Sequence, residues 1–187
     1  MSRLLITSLL ASLLLVPVQD NFTLTEAYYD VLKDVTSFRM PSKKISGAKD
    51  RYHSLSYSIS YSYPGREAKA CRQVDFELRS VVKASSLNTD LYVVFLVDGK
   101  EMHFGSSRSA IRNPVRGKSW IGERMVFHIP REDFLKFAEA TKLGVKLGGV
   151  TFNFSEQELN TVRGVALSLT DPASILSIPP QTSPHRP

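Results

Sequence analysis

The sequence predicts a mainly β fold with added helices (α+β): an antiparallel β-sandwich-like domain with two short C-terminal helices and one N-terminal helix. Three observations predict it. Residues 54–63 alternate strictly between serine and large apolar side chains, a period of two that belongs to a strand with one buried face. Strand-like runs are separated by the turn signals Pro64-Gly65, Asp98-Gly99 and Gly148-Gly149, so successive strands are joined by hairpins. Helical spacing is confined to the stretches after Thr23, Pro130 and Ser155. Strands therefore do not alternate with helices as a doubly wound parallel sheet requires.

At 187 residues and 42% hydrophobic, the chain is globular and long enough to bury a real core. It divides by composition. Residues 1–19 read as a signal peptide or N-terminal anchor. Arg3 gives a positive start, and Leu4–Val16 is an apolar run of signal-peptide length, short for a membrane span. Export to the periplasm or the exterior is the expected localisation. Residues 20–50 read as the N-terminal helix and a linker, 51–170 as the β-rich globular domain, and 171–187 as a Pro-rich disordered tail.

Each element has a local reason. Thr23 and Glu26 have capping-box spacing, and Ala27, Tyr28, Val31, Leu32 and Val35 follow at helical intervals, which predicts a helix through Asp34. Arg39–Arg51 is polar and cationic, as a linker is. Leu55, Tyr57, Ile59, Tyr61 and Tyr63 form the buried face of the serine strand. Val74, Phe76 and Leu78 alternate with Asp75, Glu77 and Arg79 in a second half-buried strand, extended past a bulge by Val81-Val82. Leu91–Val97 is continuously apolar, a strand covered on both faces. Asp98-Gly99 turns it back into Lys100–Gly105, with Met102 and Phe104 inward.

Gly105–Glu123 reads as a long loop, and Met125, Phe127 and Ile129 as the next strand. Pro130, with Glu132 and Asp133 behind it, opens a helix bearing Phe134, Leu135, Phe137 and Ala138. Gly144 is expected to end that helix in the left-handed conformation. Val145 and Leu147 pair with Val150, Phe152 and Phe154 through Gly148-Gly149. Ser155 and Glu158 make a capping box for a helix carrying Leu159, Val162, Val165 and Ala166.

The chemistry-bearing residues are scattered. His53, His103, His128 and His185 share no metal-ligand spacing with one another, with Cys71 or with a carboxylate, so no metal and no cofactor is expected. His103 and His128 fall on strands and face outward. Gly105-Ser106-Ser107 lacks the second glycine of a nucleophile elbow. Gly148-Gly149 lacks the Lys-Ser/Thr of a phosphate loop and precedes a strand. Cys71 stands alone, so no intramolecular disulfide forms. It reads as a small packed residue at a strand entry, against pairing between chains or with His53 or His103. Asn21 and Asn153 head glycosylation-type triplets, which matter only in a cell that glycosylates exported proteins.

The stretch that carries a functional expectation is Gly105–Glu123 with its neighbour. Arg108, Arg112, Arg116, Lys118 and Arg124 surround Trp120. Guanidinium forks grip sulfate, phosphate or carboxylate, and an indole stacks on a sugar or a base. The bland alternative is a solvated connection with Trp120 tucked under the sheet. Tyr57, Tyr61 and Tyr63 have a similar pair of readings, as a glycan platform or as packed core.

With a net charge of +6 and no convergent catalytic groups, the expectation is an exported non-enzymatic binding or structural domain. Its partner is an anionic polymer, a glycan or a protein, with no specific nucleic acid and a membrane only if residues 1–19 stay attached. The alternatives are an envelope-acting hydrolase or transferase, with carboxylates drawn from Asp75, Glu77, Glu101 and Glu123, and a self-assembling structural subunit.

Overall fold

The structure is a computed structural model that describes residues 26–45, 52–67, 70–83, 93–111, 120–147 and 150–170; the expected signal segment and the expected disordered tail lie outside them. Glu26–Asp30 (β1) and Val35–Arg39 (β2) pair antiparallel. The helix expected here gives way to a hairpin, and the reasons are local and tertiary. The Asp30 carboxylate accepts hydrogen bonds from the Leu32 and Lys33 N–H groups, an Asx-turn that competes with helix. Asp34 then takes a positive φ of 50°, which one short polar residue tolerates. β2 continues into the sheet and buries Phe38. Val31 and Leu32, predicted to be on the buried stripe, are 68% and 93% exposed at the hairpin tip.

The predicted linker also stays on the sheet. Met40 N–H donates to the Ile59 carbonyl, Lys43–Lys44 (β3) pairs with residues 56–57, and Ile45 N–H donates to the Leu55 carbonyl. Met40 and Ile45 are buried.

The serine strand is β4, Tyr52–Pro64. Its odd residues from Leu55 to Tyr63 are all buried, as the alternation predicts. β5 (Gln73–Lys83) runs unbroken beside it. The irregularity expected in β5 lies instead in β4, where Tyr52 and Ser54 oppose the adjacent Val82 and Val81. Ser80 therefore occupies an inward position in the core row.

The apolar run forms β6 (Val93–Val97), and Asp98 and Gly99 take φ of 48° and 81° before β7 (Lys100–Met102). Part of the expected loop is strand: Ser106–Ile111 (β8) pairs with β9, Trp120–Pro130. Pro130 sits at the N-cap position of α1, Arg131–Glu139. That helix stops at Ala140, which is extended (φ −62°, ψ 145°). Gly144 is thus not its cap. It lies in β10 (Leu143–Leu147), where an added Cβ would meet the Asn153 Oδ1 at 3.0 Å and the Phe152 carbonyl at 3.1 Å. Close strand packing, not chain reversal, is what this glycine permits.

β10 pairs with β11 (Val150–Asn153) up to Leu147 opposite Val150. α2 (Glu156–Thr170) follows, and its capping box forms as predicted: Glu158 N–H donates to Ser155 Oγ, and Ser155 N–H to Glu158 Oε2.

Two antiparallel sheets result. The larger runs β1-β2-β4-β5-β9-β8 with β3 beside β4, and the smaller runs β11-β10-β6-β7. One apolar cluster joins both sheets and both helices. Phe95 on β6 is its hub, with ring centroids 5.2 Å from Phe76 and Phe127 and 5.1 Å from Phe137. α2 lies against β4, where Tyr61 Oη and Ser168 Oγ are 3.0 Å apart. The other face of the larger sheet carries the serines of β4, the charged residues of β5, and Arg124 and His128 of β9.

Candidate functional site

The basic stretch divides between the two strands at one edge of the larger sheet. Arg108 lies on β8 with its Cα opposite Met125, and Arg124 on β9 lies opposite Ser109. Trp120 begins β9 opposite Lys83. Because successive strand positions alternate faces, the positions of Arg108 and Arg124 belong to opposite faces of the sheet. Arg112, Arg116 and Lys118 lie outside the described residues. They belong to the segment that connects β8 to β9.

Arg124 is built into an ion cluster. Its Nη2 donates to Glu77 Oε2 at 2.8 Å, while Arg79 Nε donates to Glu77 Oε1. The two arginine side chains are 43% and 49% exposed, against 8% for that of Glu77, so the carboxylate forms the floor and the guanidinium groups the surface. Burial by itself pushes the Glu77 carboxyl up. The hydrogen bonds and charges of Arg124 and Arg79 outweigh it and hold the carboxyl below the ordinary glutamate range.

A carboxylate so held is ionised at neutral pH and is not a proton donor. Register extends the cluster into a line: Lys44, Ser56, Arg79, Arg124 and Ser109 are successive cross-strand partners over β3, β4, β5, β9 and β8.

Two rows away, Arg39, Ser60, Asp75 and His128 oppose one another on the same face. Asp75 Oδ1 lies 2.8 Å from His128 Nδ1 and accepts from Gln73 Nε2 at 3.1 Å. Both Asp75 and His128 are open to solvent. Beside them, where β4 and β5 part, is a cavity of about 590 Å³ bordered by Tyr61–Pro64, Ala70–Gln73 and Asp75. That volume suits a small molecule.

Cys71 borders the cavity but is only 5% exposed. Burial pushes its thiol up, against the opposing charge of Arg131, so it is a packed thiol and not a poised nucleophile. The expected core reading of Cys71 therefore accounts for its surroundings.

The other candidate carboxylates lie elsewhere. Glu101 is on the smaller sheet beside Lys146 and His103. Glu123 is 4% exposed and directly opposite Ser80 on the inward face. Asp75 and Glu77 share a face, two residues apart on β5. Among the described residues, no three His, Cys, Asp or Glu side chains gather as metal ligands, and no helix is long and apolar enough to cross a membrane.

Tyr57, Tyr61 and Tyr63 are core residues at 0%, 6% and 3% exposure; they offer no platform. Burial pushes the Tyr61 phenol up to about 12.

Sequence reasoning missed the partnership of Glu77 with Arg79 and Arg124, and that of Asp75 with His128 and Gln73. The available signal was the alternation Gln73-Asp75-Glu77-Arg79 opposite an apolar row, which marks one polar face of one strand. Which residues of β9 it meets depends on register. Compared with known proteins, the chain matches no family model, no curated protein and no solved structure.

Proposed function

We propose that this chain is an exported, non-enzymatic binding domain that engages an anionic or glycan-containing envelope partner through the stretch from Arg108 to Arg124. In this reading the two sheets and the apolar cluster make a sandwich-like scaffold, and β8 and β9 anchor the two ends of the binding stretch, with Arg108 and Arg124 at positions on opposite faces. One observation carries it: Arg108, Trp120 and Arg124 stand on two hydrogen-bonded strands, joined by the segment that holds Arg112, Arg116 and Lys118. A rigid strand pair bearing a cationic connection is a common form of binding loop. The net charge of +6 favours the same class of partner.

Replacing Arg108, Arg112 and Arg116 together by Ala is expected to lower the salt concentration that elutes the protein from heparin. Unchanged retention at low ionic strength would refute the reading, because exposed charge contacts are screened by salt.

An enzymatic reading has one observation in its favour, the hydrogen-bonded Asp75 and His128 beside the cavity. It predicts that Asp75→Asn abolishes hydrolysis of an envelope polysaccharide that the wild-type protein degrades. The self-assembling alternative keeps β1 and β8, the end strands of the larger sheet among the described residues, but a disulfide between chains through Cys71 would require the buried thiol to be uncovered first.

A further inference from the structure

The partner's point of attachment can be placed more closely, resting on the reading above. Arg79 and Arg124 are direct cross-strand partners. Like charges directly opposite one another destabilise a sheet, so pairing alone gives no reason for this arrangement. Glu77, one row along, holds both guanidinium groups at once.

The consequence is geometric. Each guanidinium has five N–H donors, and Glu77 engages a single nitrogen of each. The remaining donors belong to side chains about half exposed. The three groups together carry one net positive charge. Two arginines fixed side by side, with donors to spare, form a site for an oxyanion that both can grip.

The rest of the row fits a chain rather than an isolated ion. Lys44 adds a further exposed cation, and Ser56 and Ser109 occupy the intervening and final positions. Four inter-strand steps of ~4.8 Å make the row about 19 Å long. Each step is close to the advance of one hexopyranose unit along an extended glycan. A linear polyanion lying across β3, β4, β5 and β9 meets Lys44, Ser56, Arg79 and Arg124 in turn.

The geometry points to a preorganised oxyanion site at Arg79 and Arg124, positioned by Glu77, that takes a sulfate or carboxylate group of an acidic polysaccharide laid across the polar face of the larger sheet. Glu77 is the positioning residue. Arg79 and Arg124 are the binding residues.

The test is calorimetric titration of the full chain with a heparin-derived oligosaccharide, comparing wild type with Arg79→Ala, Glu77→Gln and the combined Arg108/Arg112/Arg116 alanine variant. Melting temperature and circular dichroism establish that each variant is folded. Arg79→Ala is expected to weaken binding about tenfold, the worth of one charge-assisted hydrogen bond. Glu77→Gln is the deciding variant. It makes the face more positive, so attraction by charge alone would tighten binding, whereas a positioned pair loses its support and binds several-fold more weakly. Wild-type or tighter binding by a folded Glu77→Gln protein overturns the site.

Sodium sulfate and vesicles of anionic phospholipid serve as further probes. Binding to the vesicles but not to the oligosaccharide overturns the polysaccharide assignment. If the triple alanine variant alone loses affinity, this inference fails and the binding-edge reading stands. If Arg79→Ala and Glu77→Gln lose affinity and the triple variant does not, the edge reading fails and the site stands. Wild-type affinity in all three overturns both.

Discussion

Glu77 shows how one carboxylate does work that neither of its partners does alone. It sits on the face of the sheet away from the core, yet the guanidinium groups beside it leave its side chain 8% exposed. Its carboxyl is held below the ordinary range, and the consequence for stability has a definite sign. A group with a lower pKa in the folded state stabilises the fold where it is ionised. That contribution is complete above the unfolded value of about 4.3 and is lost as pH falls through the lower, folded value. Wild type is therefore expected to melt above Glu77→Gln at pH 7, with the gap closing as the solution is acidified below about pH 4. A gap of the same size at pH 7 and pH 3 would show that the ion cluster is not its source. Asp98 is a second well-placed carboxylate: its Oδ1 accepts from Thr141 Oγ1 at 2.7 Å and from the Thr141 and Lys142 N–H groups, which ties the β6–β7 turn to the end of α1.

At the level of elements, success and failure in reading the sequence have the same cause. Where the chemistry of an element is complete within a few residues, the structure has what the sequence predicts. The serine strand, the Asp98-Gly99 turn and the Ser155–Glu158 box are such cases. The last can be tested directly: Ser155→Ala removes one N-terminal bond of α2 and is expected to cost about 1 kcal/mol in urea unfolding. No measurable change would mean that packing of α2 on β4 holds the helix start by itself.

The β1–β2 hairpin is the opposite case. Its apolar residues fit a helical stripe as well as they fit strands. The decision falls to Asp30 and Asp34, which turn the chain, and to β4, which offers β2 a partner. Gly144 and β8 repeat the lesson. A glycine shortly after a helix resembles a cap until a neighbouring strand occupies the space beside it. A polar, serine-rich run resembles a loop until β9 supplies the ladder that satisfies its backbone.

In the whole molecule, one apolar cluster of the described residues joins the two sheets and both helices, and within it Phe95 meets rings from β5, β9 and α1. Phe95→Ala is expected to destabilise the protein by about 3–5 kcal/mol in denaturant titration. Phe104, which touches Phe95 from the rim and is only partly buried, is expected to cost clearly less. Equal losses at the two positions would place the centre of the core elsewhere.

The candidate site belongs to this scale too. Arg79 and Arg124 are separated by residues of three other strands, and nothing in their own neighbourhoods announces that they share a carboxylate. By itself, the amino-acid sequence determined the β-rich class, the inward face of β4, the turn between β6 and β7 and the capped start of α2. Each of these depends on contacts a few residues long. The tertiary structure decided the strand order, the hairpin at residues 26–39, the edge strand β8 and the row from Lys44 to Ser109. Those depend on register between distant segments, and register is set by the one arrangement in which every inward row finds its place in the shared core.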